Sequence, residues 1–239
     1  ADVNTDDFWG RTPLWAAVEH RNLDMNTKEL DDPVSNFVDR VALLPVTKRL
    51  LDAGANVNVQ TREVPPPRKW LYALNDVSWV DYTGQTPFIR AAFSGDVTTM
   101  KLLLEYGADP NLATHAGTTA LMAAAGVGWV VAQTYTESTA NLLAAIQICL
   151  DLGADVNAVN SMGLSALLGA ANKGGDELIV ALVNNGADLT VADVHERTAH
   201  RWAEGVFLAA VGAERKGHTL ELLDKLTAQH NPQASGAQP

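Results

Sequence analysis

Gly-Ala followed by Asn or Asp occurs four times in this sequence, each time after an apolar run with helical spacing. The copies begin at Gly54, Gly107, Gly153 and Gly186. A second marker, Thr or Ser followed by Pro or Ala, stands at Thr12, Thr86, Thr119, Ser165 and Thr198. It recurs after 33 residues both from Thr86 to Thr119 and from Ser165 to Thr198. A fixed period of this length predicts repeated units that stack in a row.

Both markers have a direct physical meaning. A Thr or Ser hydroxyl just before a helix accepts a hydrogen bond from a backbone N–H that has no partner within the helix. Pro13 and Pro87 then occupy the first helical position, where a missing donor costs nothing. Glycine readily adopts the left-handed conformation that ends a helix. Each unit is therefore predicted to hold two helices, with second helices at 46–53, 99–106, 146–152 and 178–185.

Two further patterns concern packing. Alanine pairs that let first helices approach their neighbours closely are Ala16-Ala17, Ala91-Ala92, Ala123-Ala124 and Ala170-Ala171. The segment 219–230 sets Leu220, Leu223 and Leu226 opposite charged and polar residues. The terminal unit of a stacked array needs such a polar outer face.

A 33-residue unit with a Thr-Pro-Leu opening at Thr12 and Gly-Ala-Asp closings resembles the ankyrin repeat, and the chain is more similar to bacterial than to eukaryotic members. The resemblance implies units made of a β-turn finger and two antiparallel helices, which form an all-α repeat solenoid. It covers residues 1 to about 226 and predicts one domain, 1–230, of about five repeats. The first repeat is expected to be incomplete at its N-terminal boundary. Residues 231–239 are expected to form a flexible tail.

The sequence departs from the family pattern in two places. The usual His after Thr-Pro-Leu is replaced, in chain order, by Trp15, Ile89, Met122, Leu168 and Arg201. We therefore expect apolar packing in place of the usual hydrogen bonds between adjacent loops. The fingers begin at Asn4, Asn58, Asn111, Asn157 and Thr190. The last has Glu196 where the others have glycine two residues before the cap, which predicts a looser final turn.

Three insertions interrupt the period, near 20–44, 59–80 and 127–142. The first is expected to add a short helix before Pro45, which would start the regular second helix, and to cover the end of the stack. The third, with Gly126 and Gly128, is expected to form a glycine-hinged lid. It lacks the spacing of a phosphate-binding loop, so no nucleotide site is expected there. The register also predicts that Gly107→Val is more damaging than Gly126→Val, because Gly107 occupies a turn that needs positive φ.

The second insertion carries three consecutive prolines and a cationic, aromatic composition. Its candidate contact residues are Arg62, Arg68, Lys69, Trp70, Tyr72 and Trp79. Such a loop on an acidic protein is suited to an acidic or aromatic partner. The alternative is that its aromatic residues fold down over neighbouring units, and the two possibilities are compatible if only the rim is exposed.

No catalytic, cofactor or metal site is expected. His195 and His200 are five residues apart, whereas two ligands on one helical face need a spacing of four. Cys149 lies within an apolar run and is expected to be buried and inert.

The formal net charge of -11 and a pI near 4.8 argue against binding to nucleic acid or to anionic membranes. No apolar stretch reaches the length of about 18 residues that crosses a bilayer. The sequence is compatible both with the bacterial cytoplasm and with export to the periplasm after loss of a signal peptide. A monomer is expected.

The leading functional hypothesis is a non-catalytic module that binds a partner protein through the concave surface of fingers and first helices and through the 59–80 loop. The candidates at the finger tips are Phe8, Trp9, Tyr82, His115, Met162, Val194 and His195. Mutual packing between adjacent fingers is the alternative role for these residues. The alternative function is a regulatory or targeting segment of a longer enzyme.

Overall fold

The computed structural model describes residues 2–22, 40–63, 80–129, 136–206 and 213–230. Within these ranges the chain forms ten helices, paired as first and second helices of five units. In chain order they are α1 (Pro13–Arg21), α2 (Arg40–Asp52), α3 (Pro87–Ser94), α4 (Val97–Glu105), α5 (Ala120–Ala125), α6 (Thr139–Asp151), α7 (Ala166–Lys173), α8 (Asp176–Asn184), α9 (Ala199–Ala203) and α10 (Gly217–His230). This arrangement is the all-α repeat solenoid that the sequence predicts.

The predicted helix starts are confirmed for four first helices. In each, the side-chain oxygen of the capping residue accepts from the backbone N–H three residues later. The capping residues and their distances are Thr12 (3.3 Å), Thr86 (3.2 Å), Thr119 (3.2 Å) and Ser165 (3.3 Å). Thr198 also precedes a helix, α9, but its side chain makes no capping hydrogen bond there.

The second helices end where the glycine markers predict, although they begin earlier than expected. Gly107 has φ +83° and donates its N–H to the Leu104 carbonyl at 3.0 Å, which is the left-handed closure of α4. The prediction that Pro45 starts a helix is wrong, because α2 begins at Arg40 and Pro45 lies inside it. A proline removes one helical hydrogen bond but does not by itself end a helix.

Small side chains let the first helices pack tightly. Ala91, Ala92, Ala123, Ala124 and the corresponding pair on α7 are at most 1% exposed, as predicted. All six residues of α5 are buried, as are seven of the eight residues of α3. The first six residues of α7 are buried as well. The first helices of the three middle units therefore do not line an open concave surface, which corrects that part of the sequence-based prediction.

A buried polar cluster joins the first unit to the second. Asp96, which caps α4, accepts from Arg21 Nε at 2.8 Å, from Asn22 Nδ2 at 3.1 Å and from the Thr99 backbone N–H at 3.1 Å. Burial alone would raise the pKa of Asp96, but the hydrogen bonds from Arg21 and Thr99 hold it below its ordinary value. This ion pair fixes the end of α1 against the start of α4.

The last helix closes the described array as the sequence predicts. Leu220, Leu223 and Leu226 are buried, and α10 packs against α9 and α8. Polar contacts also hold α10, since His218 Nδ1 lies 2.7 Å and the Thr219 hydroxyl 2.6 Å from the Asp176 carboxylate. None of the helices in the described part of the chain has the length and apolarity to span a membrane.

Candidate functional site

The finger tips share one turn, built by a polar residue three positions after the start of each finger. In the first tip, Asp7 Oδ1 accepts from the backbone N–H groups of Trp9 (3.0 Å) and Arg11 (2.9 Å). In the last, Asp193 Oδ1 accepts from those of His195 (2.8 Å) and Arg197 (3.0 Å). Thr114 and Asn160 serve the third and fourth tips in the same way. The side-chain oxygen at this position therefore satisfies backbone donors within its own turn.

Glu196 keeps this turn, so the prediction of a looser final turn is wrong. Its φ is +61°, the one positive φ at a residue other than glycine in the described ranges. Its N–H donates to the Asp193 carbonyl at 2.9 Å, as Gly163 donates to the Asn160 carbonyl at 2.9 Å. The tight contacts of Asp193 impose the left-handed conformation on a residue that ordinarily avoids it.

The second finger consists of two segments on either side of its insertion. The backbone N–H of Thr61 donates to the Gln85 carbonyl at 3.3 Å, and the Thr61 carbonyl accepts from the Gly84 N–H at 2.9 Å. Its hydroxyl also accepts from the N–H groups of Gly84 and Gln85, both at 3.2 Å. Sequence reasoning missed Thr61, yet it lies three residues after Asn58, as Asp7 lies three residues after Asn4. The insertion therefore leaves and re-enters the finger at its tip.

Backbone hydrogen bonds join each finger to the next, so the expectation of apolar packing in their place is wrong. The donor N–H and acceptor carbonyl pairs are Arg62 to Trp9 (2.8 Å), His115 to Thr83 (2.8 Å), Ser161 to Ala116 (2.7 Å) and Val194 to Met162 (3.0 Å). A Cβ on Gly10 would lie 2.6 Å from the Arg62 nitrogen, so a side chain there would block the approach. Glu196, at the corresponding position of the last finger, is exposed, so its side chain blocks no neighbouring backbone.

A second set of bonds joins the bases of the fingers. Asn58 Nδ2 donates to the Gly107 carbonyl at 3.2 Å, and Asn58 Oδ1 accepts from the Asp109 N–H at 2.8 Å. Asn4 and Asn157 bridge their neighbouring units in the same way. Trp15, at the position of the usual histidine, donates its indole N–H to the Gln85 carbonyl at 3.2 Å. The fingers therefore form a hydrogen-bonded row.

The structure leaves four of the predicted finger-tip residues exposed along this row. They are Phe8, His115, Val194 and His195, with Phe8 76% and Val194 59% exposed. Trp9 is half-buried between the Phe8 ring, at 5.7 Å between centroids, and the Arg11 guanidinium, at 4.7 Å from its ring. Met162 is also half-buried and packs partly against the core.

Arg62 is an exposed predicted residue that already has partners. Its guanidinium lies 2.6 Å from Asp6 Oδ2 and donates to the Asp7 carbonyl at 2.9 Å. These contacts tie the first turn of the insertion to the first finger. The other predicted residues of the loop, Arg68, Lys69, Trp70, Tyr72 and Trp79, lie outside the described residues. So do 23–39 of the first insertion and 130–135 of the third.

Tyr82 is not a surface contact residue, which corrects its prediction. It is 7% exposed, its hydroxyl donates to the Val127 carbonyl, and its ring lies 5.4 Å from that of Phe93. A Cβ on Gly128 would lie 2.6 Å from the Tyr82 ring. Val127 is fully buried. Tyr82 therefore connects the second finger to the end of α5 and belongs to the core.

The two glycines of the third insertion do not form a hinge. Gly126 ends α5 with φ +111°, and Gly128 packs beneath Tyr82. A Cβ on Gly169 of α7 would lie 2.5 Å from the Val127 nitrogen, so this turn also sits directly on the next unit. The described start of the insertion is thus a packed turn.

The remaining candidates for chemistry are two histidines and the cysteine. His200 Nε2 lies 2.9 Å from Asp224 Oδ1 and so links α9 to α10. His195 is at the last finger tip, separate from this pair. Cys149 is 2% exposed, and burial raises the pKa of its thiol to about 12.

Comparison with known families identifies part of this array. Residues 43–133, which run from within α2 past the end of α5, match the family model of ankyrin repeats (3 copies). Domains built from these repeats are typically non-catalytic and generally mediate protein–protein interaction.

Proposed function

The chain is an ankyrin repeat protein, and we propose that it binds a partner protein through its row of finger tips together with the 59–80 loop. The observation that carries this proposal is the hydrogen-bonded row itself. Adjacent tips are joined through backbone atoms, for example from the Val194 N–H to the Met162 carbonyl. The side chains at the tips are therefore free to vary while the backbone that presents them stays fixed.

A fixed backbone favours binding because little conformational entropy is lost when a partner docks. The exposed side chains Phe8, His115 and Val194 supply apolar and hydrogen-bonding contacts at separate points along the row. Large exposed apolar groups of this kind are typical centres of protein interfaces. The burial of α5 and of most of α3 supports the tips, rather than the first helices, as the contact surface.

The position of the second insertion also supports this surface. Its first residues, Arg62 and Glu63, are bonded to the Trp9 carbonyl, and it re-enters the second finger at Val80 and Asp81. The cationic and aromatic residues predicted for the loop would therefore extend the row of tips. Because the protein as a whole is acidic, a basic loop gives a local contrast that suits an acidic partner surface.

Affinity capture from the source organism, followed by identification of the bound protein, tests the proposal. A triple variant, Phe8→Ala, His115→Ala and Val194→Ser, and a variant with 63–79 replaced by a short turn are each expected to lose the same captured protein. Val180→Ser is the matched control for Val194→Ser, since Val180 is 36% exposed on α8, away from the fingers. Retention of the captured protein by both variants would exclude the finger row and the loop as the binding surface.

A further inference from the structure

Lys173 ends α7, at the opposite end of that helix from the fourth finger, and its side chain packs on the third insertion. A Cβ on Gly126 would lie 3.3 Å from both the Cβ and the Cδ of Lys173, so the stem of the lysine covers the turn that ends α5. Its Nζ lies 5.2 Å from the centroid of the Trp129 ring and 3.5 Å from the Thr136 hydroxyl. The half-buried lysine thus contacts the residues on both sides of 130–135.

Lys173 makes no ion pair within the described part of the chain. Lys216, the other half-buried lysine in those ranges, pairs with the Glu214 carboxylate. Residues 130–135 include no Asp or Glu. The acidic side chains of the adjoining segments bond to other groups, and the pairs are Glu137 with Asn141, Asp176 with His218 and Glu214 with Lys216. The ammonium form of Lys173 therefore has no counter-ion among the described residues.

A partly buried lysine without a counter-ion has a weakened preference for its charged form. Removal from water disfavours the ammonium, and the Trp129 ring and the Thr136 hydroxyl replace the lost water only in part. Burial accordingly lowers the pKa of Lys173 to about 8. A neutral amine is a nucleophile because its lone pair is free, whereas an ammonium ion is not. At about pH 7.5 the neutral form of Lys173 is on the order of a hundred times more abundant than that of an ordinary lysine, which has a pKa of about 10.4.

We propose that Lys173 is a site of covalent acylation by small acyl thioesters. The Lys173 nitrogen attacks the thioester carbonyl carbon, an amide bond forms as the carbon–sulfur bond breaks, and the thiolate leaves with the electron pair of that bond. The proton released by the nitrogen passes to the thiolate or to water. The amide product is uncharged, so acylation removes the desolvation cost that the ammonium carries. This chemistry at Lys173 is independent of binding at the finger row.

Competitive acetylation of the folded full chain with a small thioester, N,S-diacetylcysteamine, tests the proposal. Mass spectrometry of peptides measures the rate at each lysine between about pH 6 and about pH 10, on both sides of the expected transition. Lys225 on α10 is the internal reference because it is exposed. At about pH 7.5 Lys173 is expected to react at least about tenfold faster than Lys225, which is less than the gain in neutral amine because a less basic nitrogen is also a weaker nucleophile. The rate at Lys173 is expected to level off above about pH 8.

Two variants test whether the surroundings of the amine control its reaction. Thr136→Asp places a carboxylate beside Lys173, and Thr136→Val is its control, matched in shape but uncharged. The Asp variant is expected to acetylate Lys173 at least about tenfold more slowly at about pH 7.5, since an opposite charge within about 4–6 Å raises the pKa of a lysine by about one unit or more. The Val variant is expected to keep the fast reaction.

Three results would overturn the proposal. The first is a wild-type rate at Lys173 no faster than that at Lys225. The second is a rate at Lys173 that continues to rise up to about pH 10, as it does for an ordinary lysine. The third is an Asp variant that reacts as fast as the Val variant, because the contact with Thr136 would then not control the amine.

Discussion

The hydroxyl of Tyr82 donates a hydrogen bond to the backbone carbonyl of Val127, and so connects the second finger to the end of α5 in the third unit. Its ring packs near Phe93 and directly over Gly128. A residue that the sequence assigns to recognition is therefore part of the core. The first helices of the middle units are also largely buried, which leaves the finger tips as the exposed binding candidates.

Changes at Tyr82 are expected to lower stability in two steps. Tyr82→Phe should lower the free energy of unfolding by about 1–3 kcal/mol, because the buried Val127 carbonyl loses its donor. Tyr82→Ala should cost about 3–5 kcal/mol, because a cavity opens beneath Phe93 and Gly128. Chemical denaturation measures both. If the Ala variant is as stable as the wild type, Tyr82 is not a core residue.

Valine substitutions at two glycines with positive φ are expected to lower stability in the order opposite to the one that the sequence predicts. Gly107 has φ +83° and open space where a Cβ would stand, whereas a Cβ on Gly126 would lie 3.1 Å from the Gly169 carbonyl oxygen. Gly107→Val should cost about 1–2 kcal/mol of backbone strain. Gly126→Val should cost more, because it adds a clash with backbone to the same strain. Denaturant titration of the two variants decides the order.

Relief of strain at the last finger tip is expected to stabilise the protein. Glu196 adopts φ +61° and is exposed, so its side chain has no packing role in the turn. Glu196→Gly should raise the free energy of unfolding by about 1 kcal/mol, because glycine adopts this conformation without strain. Glu196→Ala is the control, since it removes the charge but keeps the strain. A gain of the same size in the Ala variant would assign the effect to charge.

The stability of the array is expected to depend on the ionisation of Asp96. Because its folded-state pKa is lowered, the contribution of its charge is present at pH values above the unfolded pKa, about 3.9. It is lost as the pH falls from that value through the folded pKa. Asp96→Asn should therefore cost about 3 kcal/mol at neutral pH, since it removes the buried carboxylate that pairs with Arg21. The difference from wild type should shrink in acid.

Chemical denaturation between pH 7 and the acid limit of folding, about pH 3, measures this difference. Asp151→Asn on the exposed face of α6 is the control, and we expect it to change neither the stability nor its dependence on pH. A difference for Asp96→Asn that stays constant as the pH falls would show that the ionised form of Asp96 is not what stabilises the contact.

Shortening the second insertion is expected to leave the fold intact. Thr61 bonds directly to Gly84 and Gln85, so the finger closes without the residues between 62 and 80. Loop length itself changes the free energy of closure by only about 0.6 kcal/mol per doubling. Replacement of 63–79 by a four-residue turn should therefore lower stability by less than about 2 kcal/mol, within the range of single substitutions. A loss of several kcal/mol, or aggregation, would assign the aromatic residues of the loop to packing.

Much of the fold follows from local chemistry and is therefore visible in the sequence. Thr86 and Ser165 cap helices because a hydroxyl at that position finds a free N–H within three residues. Gly107 ends a helix because it tolerates positive φ, whatever surrounds it. The second finger tip is also visible in the local sequence, because Thr61 lies three residues after Asn58. This spacing is easily missed beside an insertion.

The roles of Tyr82 and Trp15 were decided only by the tertiary structure. Local sequence places Tyr82 beside a finger tip, but the next unit lies close enough for its ring to pack over Gly128. The indole of Trp15 donates to the carbonyl of Gln85, 70 residues away in the sequence. Caps and turns depend on atoms within a few residues of each other, so the sequence determines them. Burial and long-range hydrogen bonds depend on how closely successive units approach, which is set by the stacking of the whole array.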